Sequence, residues 1–138
     1  MIRHLRIQCS RANLQQVRDF VREFLVAAHG SEVLVNQVVL AVDEVVANFI
    51  IHANREDASQ YLDLLMQLRD QCLDVEIADH GHTLFLPGEV APAPDLREYI
   101  RQGRKGGMGM ALVSRIMATV VFFERDSHTI CHLTKLLK

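Results

Sequence analysis

The segment SEVLVNQVVLAVDEVVANFIIHAN, residues 31–54, constrains the fold more than any other part of the sequence. A helix of this sequence is apolar over most of its circumference, which is typical of a helix packed in the middle of a domain. Ser31 followed by Glu32 is a suitable start for that helix, and its end falls near Asn54. The chain has 138 residues, of which 49% are hydrophobic, so it can form one substantial core. We therefore expect a single domain over residues 1–138.

The residues before this helix predict a strand and another helix. Residues 2–8, IRHLRIQ, alternate between apolar and polar side chains, as in a half-buried strand. Ser10 is a candidate N-cap for an amphipathic helix over residues 13–29, and Gly30 is expected at the C-terminal cap of that helix.

Two hairpins with a helix between them are predicted after the long helix. Their four strands are expected at residues 59–70, 72–81, 119–126 and 129–137. The turns are expected at Asp70 and Gln71 in the first hairpin and at Ser127 and His128 in the second. Residues 106–118, GGMGMALVSRIMA, predict the helix that separates the two hairpins.

Residues 80–106 lack any periodicity, and all three prolines of the chain lie among them. Only residues 95–103 could form a short helix there, and a loop of this length in a small domain is a candidate lid over a site. The order of the elements predicts an α+β fold. We expect a two-layer α/β sandwich, in which about three helices cover one face of a mixed, mostly antiparallel sheet.

Charge and cysteine content exclude several classes of function. A formal net charge of -2 provides no basic field for a phosphate backbone, so we expect no direct nucleic-acid partner. Cys9, Cys72 and Cys131 are odd in number and widely spaced, which favours free thiols in a reducing compartment. No long uncharged apolar run indicates a signal peptide or a membrane span. We therefore expect a cytoplasmic protein with no membrane partner.

Glu44, Asn48 and His52 form a polar stripe on the apolar helix, because residues four apart share a helix face. The stripe could be an ordinary boundary where the helix meets water. It could instead be the floor of a pocket in which Glu44 is a general base and the Asn48 oxygen binds a hard metal ion.

Two further motifs flank the predicted lid. Asp79-His80-Gly81 ends an apolar strand and could be a plain turn or part of a site. Residues 103–112, GRKGGMGMAL, could be a flexible linker that leads into a helix. They could also be an anion-binding helix start, with glycines that allow close approach and Arg104 or Lys105 as the cation. The segment lacks the Gly-Lys-Ser/Thr ending of a Walker A loop.

The three motifs in this order resemble the N, G1 and G2 boxes of the GHKL ATPase superfamily, which has the Bergerat ATP-binding fold. Within that superfamily the chain looks like the anti-sigma-factor serine/threonine kinases of the RsbW type, and the resemblance covers nearly the whole sequence. DEVVANFIIHAN and GGMGMALV are its most specific parts. After Gly81 the sequence departs from the family, because Phe85 is displaced.

The resemblance implies a role for each matching residue. Glu44 would be the catalytic base, and Asn48 would hold Mg²⁺ against the phosphates of ATP. Asp79 would bind the adenine amino group, and Gly81 would leave room for the ring. The remaining residues would hold the phosphates: Gly107, Gly109, the Met110 amide, Lys105 and Arg104. His52 is interpreted as a structural histidine.

The activity implied is that of an ATP- and Mg²⁺-dependent protein serine/threonine kinase that phosphorylates a STAS-domain antagonist in a bacterial partner-switching system. A sigma factor is a second expected partner, and the resemblance indicates a homodimer. An alternative is a non-catalytic ATP-binding module that acts by protein association alone. A detached histidine-kinase catalytic domain and a metal site at His80 and His82 are weaker alternatives.

Overall fold

The computed structural model describes residues 1–81 and 105–137, and for residues 105–108 it describes the backbone only. The elements in chain order are β1 (Ile2–Gln8), α1 (Leu14–Ala27), α2 (Glu32–Asn48), β2 (Tyr61–Arg69), β3 (Cys72–Asp79), α3 (Lys105–Ile116), β4 (Thr119–Arg125) and β5 (His128–Leu136). This is the order predicted from the sequence. The predicted lid and the short helix at residues 95–103 lie outside the described residues, except for the ends of the lid.

The strands form one five-stranded sheet in the order β1-β2-β3-β5-β4. All four strand pairs in the described part of the chain are antiparallel. Alternate residues of each strand pack into one core together with the helices. In β2 and β3 this buried row consists of Leu62, Leu64, Met66, Leu73, Val75 and Ile77. The predicted α+β two-layer sandwich is confirmed.

Helix α2 is the central helix, because it packs against both α1 and α3. Its start is the predicted one, since the Ser31 hydroxyl accepts a hydrogen bond of 3.1 Å from the Leu34 amide. With the turn that follows it, the segment Glu32–Ala53 contains an 18-residue apolar window with a mean hydropathy of 1.7, so by length and composition it could cross a membrane. Burial of half of that apolar window inside the domain accounts for its composition equally well.

The end of α2 is wider than an α-helix. Residues Phe49–Ala53 form a π-helical turn, and the amide of Asn54 then donates to the carbonyl of Phe49 at 3.0 Å. The predicted extent of the helix, to about Asn54, is confirmed, whereas the extra residue in its last turn could not be predicted.

The caps of α1 differ in detail from the prediction. Ser10 caps a short 3-10 turn, Arg11–Asn13, before α1 begins. At the other end His29, with a φ of 62°, takes the left-handed position that was expected for Gly30. The Gly30 amide donates to the Leu25 carbonyl at 2.9 Å, which completes the cap.

Both hairpins have two-residue turns with positive φ, as in type I′ turns. Asp70 and Gln71 form the first turn, with φ values of 49° and 67°, as predicted. The second turn consists of Asp126 and Ser127, with φ values of 53° and 65°. The predicted turn at Ser127 and His128 was therefore one residue late, because His128 already pairs with β4 as the first residue of β5.

Candidate functional site

Asp79 stands at the end of the buried row of β3. Because strand side chains alternate between faces, Asp79 shares the helix-covered face of the sheet with Leu73, Val75 and Ile77. Its side chain is buried, with an exposed fraction of 1% for the residue. A carboxyl group in such a position is costly unless polar partners compensate for its loss of hydration.

One oxygen of Asp79 has such partners and the other has none. Oδ1 accepts hydrogen bonds from the Asn54 side-chain amide at 3.0 Å and from the Gly81 backbone amide at 2.8 Å. Oδ2 is buried and has no hydrogen-bond partner among the described residues. The carboxyl group is thus held by one oxygen, and the other is available to a donor from outside the chain.

The ionisation of Asp79 reflects the same surroundings. Burial raises the pKa of Asp79, and the hydrogen bonds from Asn54 and Gly81 and the charges of His80 and His128 offset only part of that rise. The pKa therefore lies above its ordinary value. An anion of raised basicity is a good acceptor for an N–H donor that enters the site.

Asn54 is the site residue that the sequence analysis missed. It follows the π-helical turn, is exposed to only 7%, and its Nδ2 also donates to the Phe49 carbonyl at 2.9 Å. Nothing in the sequence distinguishes it from a polar residue that ends a helix, since Arg55, Glu56 and Asp57 continue the polar run. The available signal was an asparagine placed directly after a long apolar helix, at a position where a side chain can bond to the last turn.

Glu44 and Gly109 bring the N-box-like and G2-like motifs together. A Cβ atom added at Gly109 would overlap the carboxylate of Glu44, so the Glu44 side chain lies directly on the backbone of α3. Only glycine permits this approach. The contact joins two parts of the chain that are 65 positions apart, 109 against 44.

The environment of Glu44 favours its protonated form. Burial raises the pKa of Glu44, and the negative charge of Asp43 raises it further. Asp43 lies on another side of α2, where its carboxylate is paired with Arg18 at 2.8 Å. A carboxyl group with a raised pKa is a stronger base once it is ionised, which suits proton abstraction from a hydroxyl group.

Asn48 lies one helical turn after Glu44 and therefore on the same face of α2. The residue is partly buried, and its Nδ2 is enclosed without a hydrogen-bond partner among the described residues. Two buried polar atoms without partners, Asn48 Nδ2 and Asp79 Oδ2, thus occur at positions that the sequence analysis assigned to one site. Such atoms are uncommon in proteins and are expected where a ligand binds.

The other predicted site residues have different placements. Lys105 is the first residue of α3 and Gly107 follows in its first turn, where backbone amides lack partners within the helix. Met110 packs against the core, and Arg104 lies outside the described residues. No group of three acidic, histidine or cysteine side chains that could bind a metal ion occurs in the described segments, and His82 lies outside them.

The two histidines of the motifs are not part of this cluster. His52 is exposed on the π-helical turn. His80 projects from the opposite face of the sheet to Asp79, where its Nε2 pairs with Asp63 at 2.7 Å and its ring stacks on Tyr61.

Comparison with protein families places the chain. Residues 7–135 match the Histidine kinase-like ATPase domain. Because the match covers nearly the whole sequence, the chain belongs to the histidine kinase-like ATPase domain family. This assignment confirms the resemblance to the GHKL ATPases that the motifs indicated. A comparison with curated proteins found no match.

Two solved structures have the same fold. The structure of the RsbU and RsbW domains of Rv1364c from Mycobacterium tuberculosis matches with a TM-score of 0.70 and 17% identity, over 99% of this chain and 32% of that chain. The structure of the SiaB-SiaC complex from Pseudomonas aeruginosa matches with a TM-score of 0.63 and 13% identity, over 97% of this chain and 89% of that chain. The chain therefore spans about a third of the Rv1364c chain.

Proposed function

We propose that the protein is an ATP- and Mg²⁺-dependent protein serine/threonine kinase and anti-sigma factor of a bacterial partner-switching system, and that it phosphorylates a STAS-domain antagonist. The observation that carries the proposal is the contact of the Glu44 carboxylate with the backbone of α3 at Gly109. It places a general base about one turn from the N-terminus of α3, and a helix N-terminus is a favourable place for the phosphates of a nucleotide.

The adenine end of the proposed site is Asp79. Its free Oδ2 fits the exocyclic amino group of adenine, because that oxygen is a buried acceptor and the amino group is a donor. Burial of the carboxyl group makes the unpaired state costly, so a matching donor gains affinity at this position.

The phosphate end of the proposed site is the first turn of α3, with Glu44 beside it. Glu44 would accept the proton of the substrate hydroxyl group, and the unpaired backbone amides of the first turn, near Gly107, would contact the phosphates. Gly109 and Met110 lie in the second turn, where amides donate within the helix, so the role expected for their amides would require the start of α3 to open. Lys105 and Arg104 are the proposed cations.

Asn48 is the proposed protein ligand of Mg²⁺. An amide oxygen is a hard donor that suits this ion, and the enclosed Nδ2 could donate to a phosphate oxygen. When bound, Mg²⁺ neutralises charge on the phosphates, and it usually completes its coordination with phosphate oxygens and water rather than with an all-protein cage.

The proposed partners follow from the family resemblance. The solved structures with this fold include an RsbW domain and a SiaB-SiaC complex, which supports a place in partner switching. A STAS-domain antagonist would supply the hydroxyl group, a sigma factor would be the protein held inactive, and the active form would be a homodimer located in the cytoplasm.

The test is a phosphotransfer assay with Mg²⁺-ATP and a STAS-domain protein encoded beside this one. We expect Glu44→Gln to lower the rate of transfer by about a hundredfold or more, because general-base catalysis contributes roughly that much. Nucleotide and partner binding should remain, since the substitution keeps the shape of the side chain.

The matched control is Asp43→Asn, one residue earlier on the same helix and outside the proposed site. It should retain transfer, and its pH–rate profile should rise at a slightly lower pH, because Asp43 raises the pKa of Glu44. Nucleotide binding without any transfer by the wild type would favour the binding-module alternative instead. Absence of nucleotide binding would refute both.

A further inference from the structure

We propose that Asn54 is a positioning residue that sets the nucleobase specificity of the site by holding Asp79 through Oδ1, so that Asp79 Oδ2 is directed at an exocyclic amino group. This inference rests on the proposed function, because it concerns the same nucleotide site. It assigns a role to Asn54, the last residue of DEVVANFIIHAN, to which the resemblance gave none.

The orientation of the Asn54 amide is fixed by its two acceptors. Both the Phe49 carbonyl, at 2.9 Å, and Asp79 Oδ1, at 3.0 Å, require the donor end of the side chain. A flipped amide would place its oxygen against two other oxygens, so only Nδ2 fits there. The π-helical turn provides the Phe49 carbonyl, and the Asn54 backbone amide donates to the same oxygen.

The oxygen of Asn54 is directed at Gly81. A Cβ atom added at Gly81 would overlap Asn54 Oδ1 and would lie 3.0 Å from Asp79 Oδ1. Glycine at this position is therefore required by the Asn54 side chain, whether or not an adenine ring also needs the space. Asn54, Asp79 and Gly81 form one interlocked unit, in which Asp79 Oδ1 is fully engaged.

The consequence for specificity follows from the ionisation of Asp79. The hydrogen bond from Asn54 lowers the pKa of Asp79 against the opposing effect of burial. An ionised carboxylate only accepts hydrogen bonds, so it favours the amino group of adenine and repels the O6 acceptor of guanine. A protonated carboxyl group could donate to that O6. Loss of the Asn54 donor should therefore weaken adenine binding and reduce the ratio of the affinity for adenine nucleotides to that for guanine nucleotides.

The test measures the affinities for ADP and GDP by calorimetry between pH 5 and pH 8, for the wild type and Asn54→Ala. We expect Asn54→Ala to lose about ten- to a hundredfold in ADP affinity, the range expected for a hydrogen bond to a charged group. The pH below which ADP affinity falls should shift upward, and the ratio of ADP to GDP affinity should decrease. Asn36→Ala is the matched control, because Asn36 lies on α2 away from the site and its Oδ1 accepts a hydrogen bond from Arg22.

A second variant pair keeps the inference testable if Asn54→Ala folds poorly. Gly81→Ala should lose ADP affinity in the wild-type background, since its new methyl group meets Asn54. Asn54→Ser, which is shorter at this point, should tolerate Gly81→Ala with little further loss. Equal losses in the two backgrounds would show that Asn54 is not the reason for the glycine and would overturn the interlocked unit.

The pH profile separates a positioning role from a structural one. A merely structural role of Asn54 would lower ADP affinity without moving the pH midpoint, and that result would overturn the inference. So would an Asn54→Ala variant that binds ADP and GDP as the wild type does. If the wild type itself binds neither nucleotide, the proposed function fails first.

Discussion

The acidic side chains on the two faces of the sheet differ in burial and in hydrogen-bond pairing. On the helix-covered face Asp79 is buried, and one of its oxygens has no partner within residues 1–81 and 105–137. On the open face Asp63 is partly exposed and fully engaged, with Arg6 at 2.8 Å and His80 at 2.7 Å. Paired charges near water need no explanation beyond local stability. A buried acceptor without a partner is uncommon, and next to the other candidate site residues it indicates a ligand site better than charge does. Burial without a partner is not sufficient by itself, because His128 Nδ1, beside the His80 ring, is in the same condition.

The open face repeats this pairing along its strands. Glu76 is engaged by both terminal nitrogens of Arg125, at 3.0 and 2.9 Å, and Asp74 pairs with His132 at 3.1 Å. These groups are exposed enough that water screens them. The contrast predicts that substitutions on the helix-covered face affect ligand binding and that substitutions on the open face affect stability alone.

The largest effect is expected for Asp79→Asn. ADP affinity should fall by about a hundredfold or more, because the free oxygen that would accept the amino group is replaced by a donor. Calorimetric titration with ADP checks this, and retained affinity would show that the buried oxygen is not the base-binding group.

The same variant should be at least as stable as the wild type. The pKa of Asp79 is higher in the folded state than in the unfolded state, so the folded state binds more protons at a pH between the two values. The contribution of Asp79 to stability therefore falls as the pH rises from the unfolded pKa to the folded pKa. Asparagine lacks this loss and can still accept from Asn54. Urea unfolding at pH 4 and pH 7 should show the variant gaining on the wild type at the higher pH.

An intermediate effect is expected for Gly109→Ala. Its methyl group would displace the Glu44 carboxylate, so phosphotransfer should fall by about a hundredfold while ADP affinity changes much less. In a protein that already carries Glu44→Ala, the clash is absent. Adding Gly109→Ala should then raise the free energy of unfolding by about 1 kcal/mol, because alanine has a better helix propensity than glycine. A destabilised double variant would argue against the contact of Glu44 with α3.

The smallest effect is expected for Asp63→Asn on the open face. Burial alone would raise the pKa of Asp63, but the hydrogen bond and charge of Arg6 and the charges of His80 and His4 outweigh it, and the pKa is lowered. Its stabilisation is therefore present above the unfolded pKa and is lost as the pH falls through the folded pKa.

For this variant we expect a loss of about 1 kcal/mol or less in the free energy of unfolding at pH 7, with ADP affinity unchanged. The difference in stability from the wild type should vanish in acid, because Asp63 of the wild type is then protonated and is uncharged like the asparagine of the variant. Urea unfolding against pH measures it, and a change in nucleotide affinity would break the contrast between the two faces.

The sequence predicts the elements better than their ends. Strict alternation located β1 at Ile2–Gln8, and the apolar length of α2 was enough to place it at the centre of the core. The second turn was misplaced by one residue, because Ser127 and His128 are both acceptable turn residues and only pairing decides between them. His29 took the position expected for Gly30, and the preference of glycine for a positive φ does not exclude another residue there.

The candidate site was predictable only where spacing carries information. Glu44 and Asn48 share a helix face because they are four residues apart. The position of Asp79 at the end of an apolar strand was compatible with a plain turn, and its role was indicated only by the family resemblance. The contact of Glu44 with Gly109 depends on how α2 and α3 pack, which the order of the residues along the chain does not contain. Asn54 was missed because one of its partners, Asp79, comes from a distant segment and the other, Phe49, belongs to a non-standard helical turn.

The π-helical turn at the end of α2 also sets the angle about the helix axis at which the following residues project. An α-helix advances about 100° per residue, so deleting one residue from Phe49–Ala53 would restore a regular helix and rotate everything beyond it by about that angle. Such a deletion would leave the apolar, core-facing side of α2 in place and would turn Asn54 away from Asp79. The extra residue of the π-helical turn thus lets α2 pack in the core while Asn54, beyond the turn, contacts Asp79 at the end of β3.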